Sequence, residues 1–265
     1  AKDGGKVLFS HPGASFGGLV VPFDFGISDA FSCIETIKEY AVINGYDAIE
    51  IRQAPRVYQA VPSEELDYAL WHAGFRYSKR EFSSAIPVRF LRGNDPFEIF
   101  DNSAKRSVRR AIRNGLSFGE VSSEKDLKIF YKLLLSNLSE RYGARPVHSI
   151  EELQKLRRLF PDDILLFKAA LDDGPIGFLL VFVCNPKTAL IFYAAQDFKY
   201  ATEYRPINFI YYNLIKWAAE RGLDYIDIGI STEDGGEAIN WSLCNFKETV
   251  GGRGINRDSY MLDLT

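Results

Sequence analysis

PINFIYYNLIKWAAERGLDYIDIG, residues 206–229, runs from a helix straight into a strand. Pro206 suits the first position of a helix, because its fixed φ is already helical. An amphipathic run follows to Gly222, which suits the left-handed position just past a helix end. Asp224 then leads into an apolar strand that holds one carboxylate, Asp227. ETIKEYAVINGYDAIEI, residues 35–51, repeats this order with Gly45, Asp47 and Glu50 in the matching places. The two glycines stand 177 positions apart, far beyond the period of a solenoid. Two related α/β domains in tandem account for the repetition.

Working outward, the first half begins with a strand, KVLFS (residues 6–10), a Gly-rich turn, HPGASFGG (11–18), and a second short strand, LVVPF (19–23). Ser28 and Asp29 are expected to cap a helix over 29–44. A strand over 47–53 and a helix over 63–73 follow, the helix capped by Ser63 with Glu65 and Asp67 in its first turns. Residues 75–91 read as one or two strands. Asn94, Asp95 and Pro96 mark a turn, which divides the chain into domains 1–95 and 96–265.

The second half opens with a basic helix, SAKRSVRRAIRNG, and a strand over 116–121. Apolar residues at 127, 130, 131, 134, 135 and 138 stripe a helix over 124–142. Ser149-x-x-Glu152 is a capping box for a helix over 149–159. ILLFKAAL (164–171), IGFLLVFVC (176–184) and TALIFYAAQ (188–196) read as an antiparallel meander. Helix 206–221, strand 224–230, a helix near 237–250 and a strand over 257–264 complete the chain.

Composition bounds the function. The chain has 265 residues, 46% of them hydrophobic and 25% charged, which is the balance of a soluble globular protein. Its longest apolar run, residues 176–184, is far short of the roughly 18 needed to span a membrane. The net charge of −3 predicts no general affinity for nucleic acid, so any anion site must be local. Cys33, Cys184 and Cys244 read as buried free thiols of a reducing, cytoplasmic setting. Three scattered histidines and three scattered cysteines suggest no metal site. His72 reads as a core residue and His148 as a loop residue. AKDGGK opens no signal peptide, and the missing initiator Met points to a trimmed or partial chain.

The element order from residue 103 onward resembles the GNAT acyltransferase fold. SFGGLVV, RRAIRNG, YRPINFIYYNLIKWA, YIDIG and FKETVG, taken in order, resemble the Fem-type acyltransferases, which are tandem GNAT-like proteins. The resemblance implies an α/β fold of two GNAT-like domains in tandem, with mixed sheets flanked by helices. The first domain is reduced, since it lacks the opening strand–helix–helix portion. It further implies transfer of an acyl or aminoacyl group to an amine of a cell-envelope or nucleotide-linked precursor. No permanently bound cofactor is expected. The donor would be aminoacyl-tRNA or an acyl-CoA-like compound. The alternative is an idle GNAT-like protein that binds such a precursor or a partner.

One departure bears on the donor. Ordinary GNAT enzymes have a Gly-rich loop before the helix that follows the meander, where backbone N–H groups hold the coenzyme A pyrophosphate. This chain has QDFKYATEYRP, residues 196–206, with no Gly. That weakens the acetyl-CoA reading and favours an aminoacyl or other unusual donor.

The expected site residues follow. The resemblance to Fem-type enzymes implies that the Phe-Lys pair looks onto the acyl-transfer centre, with Phe246 against the substrate and Lys247 stabilising the tetrahedral oxyanion; the alternative is a surface Lys paired with Glu248 or Glu233. Asp227 or Glu233 would accept the proton of the attacking amine, with Tyr193 near Lys247. Glu50, the counterpart of Asp227, reads as structural. Lys105, Arg106, Arg109, Arg110 and Arg113 share a broad helical face that would take phosphates of a nucleotide-linked substrate or a tRNA end, with Arg205 as a further substrate contact. His11, Ser15, Phe16, Gly17 and Gly18 form a turn that would wrap a substrate; a purely structural Gly-rich turn is the alternative.

Overall fold

The computed structural model describes residues 5–91 and 93–264. Its elements, in chain order, are β1 (Val7–Phe9), α1 (Ile27–Ile43), β2 (Ala48–Arg52), α2 (Glu65–His72), β3 (Arg76–Pro87), α3 (Asn102–Arg113), β4 (Ser117–Glu120), α4 (Glu124–Tyr142), α5 (Ile150–Leu159), β5 (Ile164–Leu171), β6 (Gly174–Val183), β7 (Thr188–Gln196), α6 (Phe198–Tyr204), α7 (Pro206–Glu220), β8 (Tyr225–Ile230), β9 (Thr232–Glu233), β10 (Ala238–Ile239), α8 (Trp241–Thr249) and β11 (Arg253–Asp263). The class is α/β, as expected.

The chain divides into two compact units. The first runs to Ser83 and takes in Ile230–Asn240 and the segment from Gly254 onward; the second comprises Ser84–Gly229 and Trp241–Arg253. The turn at residues 94–96 therefore lies inside the second unit, and the closing strand belongs to the first. Backbone pairing is the reason: β11 bonds antiparallel to β2, from Ser259↔Arg52 to Asp263↔Ala48.

In the first unit β1 and β2 are parallel, Val7↔Ala48 to Phe9↔Glu50, with α1 as the crossover. Ala30 and Ile34 of α1, Ala69 and Leu70 of α2, Ile49, Ile51 and Tyr260 build its core. The cap of α1 differs from expectation. Gly26 is the N-cap, and Asp29 reaches back to accept the Gly26 N–H at 2.9 Å. The α2 helix starts only at Glu65, whose carboxylate accepts the Ser63 hydroxyl instead of Ser63 capping the helix. LVVPF forms no strand, and residues 76–87 form one. His72 is exposed, with its ring against Phe31 at 4.9 Å, so it is no core residue.

The second unit carries the sheet order β8–β7–β6–β5–β4. The meander is antiparallel as read, and only β7 and β8 run parallel. Adjacent strand residues face opposite ways. Phe167, Leu179 and Val181 pack with α3 and α7, whereas Leu166, Phe178 and Leu180 pack with α4 and α5. Asp101 caps α3 through the Ala104 N–H, and Ser149 with Glu152 closes the capping box of α5. The last helix begins at Trp241, after the β9–β10 hairpin, not near residue 237. Only Cys244 of the three thiols is buried; Cys33 is half-buried and Cys184 exposed.

The repeat holds down to single hydrogen bonds. Gly45 and Gly222 both take positive φ, 66° and 79°. The Asp47 N–H donates to the Lys6 carbonyl, and the Asp224 N–H to that of Lys187. The Asp47 carbonyl accepts from Leu264, and the Asp224 carbonyl from Arg89. Each β–α–β crossover is thus gripped at the same two points.

Candidate active site

In the second unit β7 and β8 pair only over Thr188↔Tyr225, Ala189↔Ile226 and Leu190↔Asp227, and then part. A slip in register between Leu180 and Val181 leaves Phe192 of β7 as an extra residue against β6, which bends a strand and increases its twist. Asp227 stands at the last pair before the split and is 0% exposed. Two residues on, Gly229 turns with φ 79°, a conformation that favours glycine. Its N–H donates to Asp227 Oδ1 at 2.8 Å.

Lys247 comes to the same glycine from α8. Its Nζ donates to the Gly229 carbonyl at 2.6 Å, and the residue is 2% exposed. Lys247 is therefore a buried residue, not a surface Lys. The end of α8 is tightly held: Gly252 donates to the Lys247 carbonyl at 2.9 Å, and a Cβ at Gly252 would lie 2.7 Å from that oxygen. Next door, the Phe246 ring stands nearly perpendicular to that of Tyr211, at 5.6 Å. Burial holds the Tyr211 hydroxyl well above the usual phenol range, and the charge of Asp227 holds it further up. A carboxylate and an ammonium are therefore fixed on the two polar ends of one residue, where two parallel strands separate.

Other expected residues have partners of their own. Glu233 lies in the first unit, exposed on β9, and accepts from Asn240 Nδ2 at 3.1 Å. The Tyr193 hydroxyl accepts the Val147 N–H at 3.0 Å, which ties the α4–α5 connection to β7. Burial pushes that hydroxyl up, against the pull of the Val147 N–H. Beyond the split, Asn137 of α4 covers the end of β7: it donates to the Gln196 carbonyl at 3.0 Å and accepts the Gln196 N–H at 2.9 Å. Asn137 and Tyr211 were not expected site residues; the only sign in the sequence was a polar residue in the middle of an amphipathic helix.

On α3, Arg106 and Arg113 are exposed, and Arg109 lies over the Phe97 ring at 5.2 Å. Arg110 donates to the Thr202 carbonyl at 3.3 Å, and Asn114 to that of Glu203, also at 3.3 Å. These contacts cap the C-terminus of α6, where cations are favoured. Residues 198–204 are thus a helix where a loop was expected. Arg205, exposed, holds an unusual φ of 50° between α6 and α7. Pro206 is packed hard on β6, since a Cβ at Gly177 would lie 2.7 Å from its Cβ.

In the first unit Glu50 stands at the last parallel pair of its own crossover, as Asp227 does. There the chain is closed differently. Glu50 pairs with Arg52 at 2.8 Å, Ser10 accepts the Arg52 N–H at 2.9 Å, and the Gly17 N–H donates to the Arg52 carbonyl at 2.8 Å. A Cβ at Gly17 would lie 2.6 Å from the His11 ring. Ser15 is exposed, and Phe16 packs on Tyr58 with ring centroids 4.7 Å apart. Among the described residues no group of three His, Cys, Asp or Glu could hold a metal ion, and no helix is long and apolar enough to cross a membrane.

An antiparallel meander followed by a parallel crossover is the strand order of a GNAT-type domain. Residues 102–241 match the family described as acetyltransferase (GNAT) domain, and the chain belongs to that family. Among solved structures it is similar to FemX, with 15% identity over 93% of this chain and 79% of that one and a TM-score of 0.69. It is also similar to the C-terminal domain of a putative lysylphosphatidylglycerol synthetase from Agrobacterium fabrum, with 14% identity, coverage of 88% and 73%, and a TM-score of 0.61. A tandem GNAT protein from the clavulanic acid biosynthesis pathway aligns over 93% of this chain and 73% of its own, with 10% identity and a TM-score of 0.50. No curated protein sequence matches the chain.

Proposed function

We propose that this protein transfers an aminoacyl group to an amine of a cell-envelope precursor, with the second unit carrying the chemistry. The observation that carries this reading is the meeting of Asp227 and Lys247 at Gly229, where β7 and β8 separate. The acceptor amine attacks the ester carbonyl of the donor and passes a proton toward Asp227. The Lys247 charge stabilises the tetrahedral oxyanion, in a site dry enough for that charge to act strongly. Collapse breaks the ester C–O bond, the departing ribose oxygen of the tRNA takes up the proton and leaves as a hydroxyl, and an amide remains.

Three further features support the reading. The α6 helix stands where a Gly-rich phosphate loop would lie, which disfavours coenzyme A as donor. Arg106 and Arg113 offer exposed positive charge for the phosphates of an aminoacyl-tRNA or a nucleotide-linked acceptor. The similarity to FemX and to a lysylphosphatidylglycerol synthetase domain favours an aminoacyl group and an envelope acceptor. Arg205, exposed on the second unit, is a proposed acceptor contact.

The test is a donor panel read by mass spectrometry. Aminoacyl-tRNA and acetyl-CoA are each offered with amine-bearing peptidoglycan precursors. Aminoacylated product from the tRNA donor alone is expected. Product from acetyl-CoA, or calorimetric acetyl-CoA binding at micromolar strength (about −8 kcal/mol), would overturn the donor assignment. No product with any donor, despite precursor binding, would leave a binding protein.

A further inference from the structure

A cavity lies at the edge of the second unit away from β8, and the acyl-transfer reading makes no use of it. It measures about 300 Å³ and is lined by Glu120, Glu124, Gln154, Arg157, Arg158 and Ile164, among others. It sits past the end of β4, the edge strand, which is four strand positions from β8. At about 4.8 Å per strand that is roughly 19 Å from the Asp227 strand.

Arg157 is the unusual residue there. Its Nη2 donates to the Val121 carbonyl at 2.6 Å, which pins the side chain. Its Nε is buried and has no hydrogen-bond partner. Burial pushes the guanidinium down, and Glu120 pulls it back up from a distance. No carboxylate among the described residues comes within ion-pair reach of it. A guanidinium half out of water without a paired anion is costly, and an anion that enters the cavity relieves the cost.

Charge of both signs decides what kind of ligand fits. Glu120 and Glu124 line the same space as Arg157 and Arg158. A simple anion would meet two carboxylates, and a simple cation two guanidiniums. A zwitterion satisfies both pairs. Pro161, exposed, and the edge of Ile164 add apolar surface, and the size is at the small end for ligand pockets. We infer that this cavity is a binding site for a free α-amino acid with an apolar side chain. Its carboxylate faces Arg157 and Arg158, its ammonium faces Glu120 and Glu124, and its side chain lies on Pro161 and Ile164. The site binds and does not react, and it is independent of the acyl-transfer reading.

Calorimetry on the intact chain tests this with L-leucine and its two halves, 4-methylpentanoate and isopentylamine. Leucine should bind, and each half should bind at least about tenfold more weakly, because each lacks one charge-assisted contact. Arg158→Gln and Glu124→Gln should each weaken leucine about tenfold or more. Arg157 is left in place because it anchors Val121. Lys247→Met should leave leucine binding unchanged, which separates this cavity from the acyl-transfer site. Absence of leucine binding, equal binding of 4-methylpentanoate, or unaltered affinity in both cavity variants would overturn the inference.

Discussion

Lys247 and Asp227 hold the same residue from opposite ends: the ammonium donates to the Gly229 carbonyl and the carboxylate accepts the Gly229 N–H. The two charges come from elements with no local relation, a strand and a helix separated by the β9–β10 hairpin. Gly229 fixes where both of them point, and so becomes part of the candidate site although it has no side chain.

Lys247→Met should lower aminoacyl turnover on the order of 10²–10³-fold, the usual loss for one oxyanion-stabilising group. Because Lys247 is buried and hydrogen-bonded, stability should also fall, by about 1–3 kcal/mol. A surface lysine would give about 0–1 kcal/mol and normal turnover. Urea unfolding and steady-state kinetics on the same preparation check both parts, and wild-type turnover would remove Lys247 from the mechanism.

Asp227→Asn keeps an oxygen that can accept the Gly229 N–H but removes the charge. The fold should survive, with turnover reduced about 10²–10⁴-fold if Asp227 is the base. Circular dichroism and initial rates decide this. An unchanged rate would assign Asp227 to structure alone, as for Glu50.

Gly229→Ala should be costly although its Cβ would meet nothing within 4 Å. The penalty is conformational, about 1–2 kcal/mol for an L-residue at φ 79°. Any relaxation of that φ moves the carbonyl away from Lys247. Turnover should therefore fall more steeply than stability, and a variant with lowered Tm but a full rate would argue against a role for the glycine.

Alkaline pH should destabilise the protein through Tyr211. Its folded-state value lies above the ordinary tyrosine value of about 10, so its contribution is complete below pH 10 and is lost as pH rises further. In that range the unfolded chain ionises while the native one cannot, and stability drops by about 1.4 kcal/mol per pH unit for this group. Tyr212, pushed up to about 12 by burial and by Asp95, acts in the same direction. Urea midpoints between pH 8 and 11 should fall less steeply in Tyr211→Phe than in the wild type. Parallel slopes would contradict the burial argument.

Arg106→Ala and Arg110→Ala should separate. Arg106 is exposed, so its loss should weaken tRNA binding and reduce the salt slope by about one, with stability unchanged. Arg110 also caps α6, so its loss should cost about 0.5–1.5 kcal/mol of stability as well. Fluorescence anisotropy with deacylated tRNA across a salt series, paired with thermal melts, provides the measurement. Unchanged affinity in Arg106→Ala at low salt would make the basic face a solvated surface.

What the sequence determined by itself was local. Gly45 and Gly222 end their helices, Ser149 and Glu152 close a capping box, and three apolar runs form the meander, because each of these depends on residues a few positions apart. The twofold occurrence of helix, glycine, aspartate and strand was legible for the same reason, and Asp227 and Lys247 were named from it and from a family likeness. Tertiary structure alone decided that the closing strand lies beside β2, since Ser259 pairs with Arg52 across most of the chain through backbone groups that carry no side-chain pattern. It made 198–204 a helix, whose last carbonyls are capped by Arg110 and Asn114 from α3. It placed Glu233 in the other unit and buried Lys247. A lysine in FKET reads as a surface residue until a left-handed glycine 18 residues earlier turns its carbonyl to the ammonium.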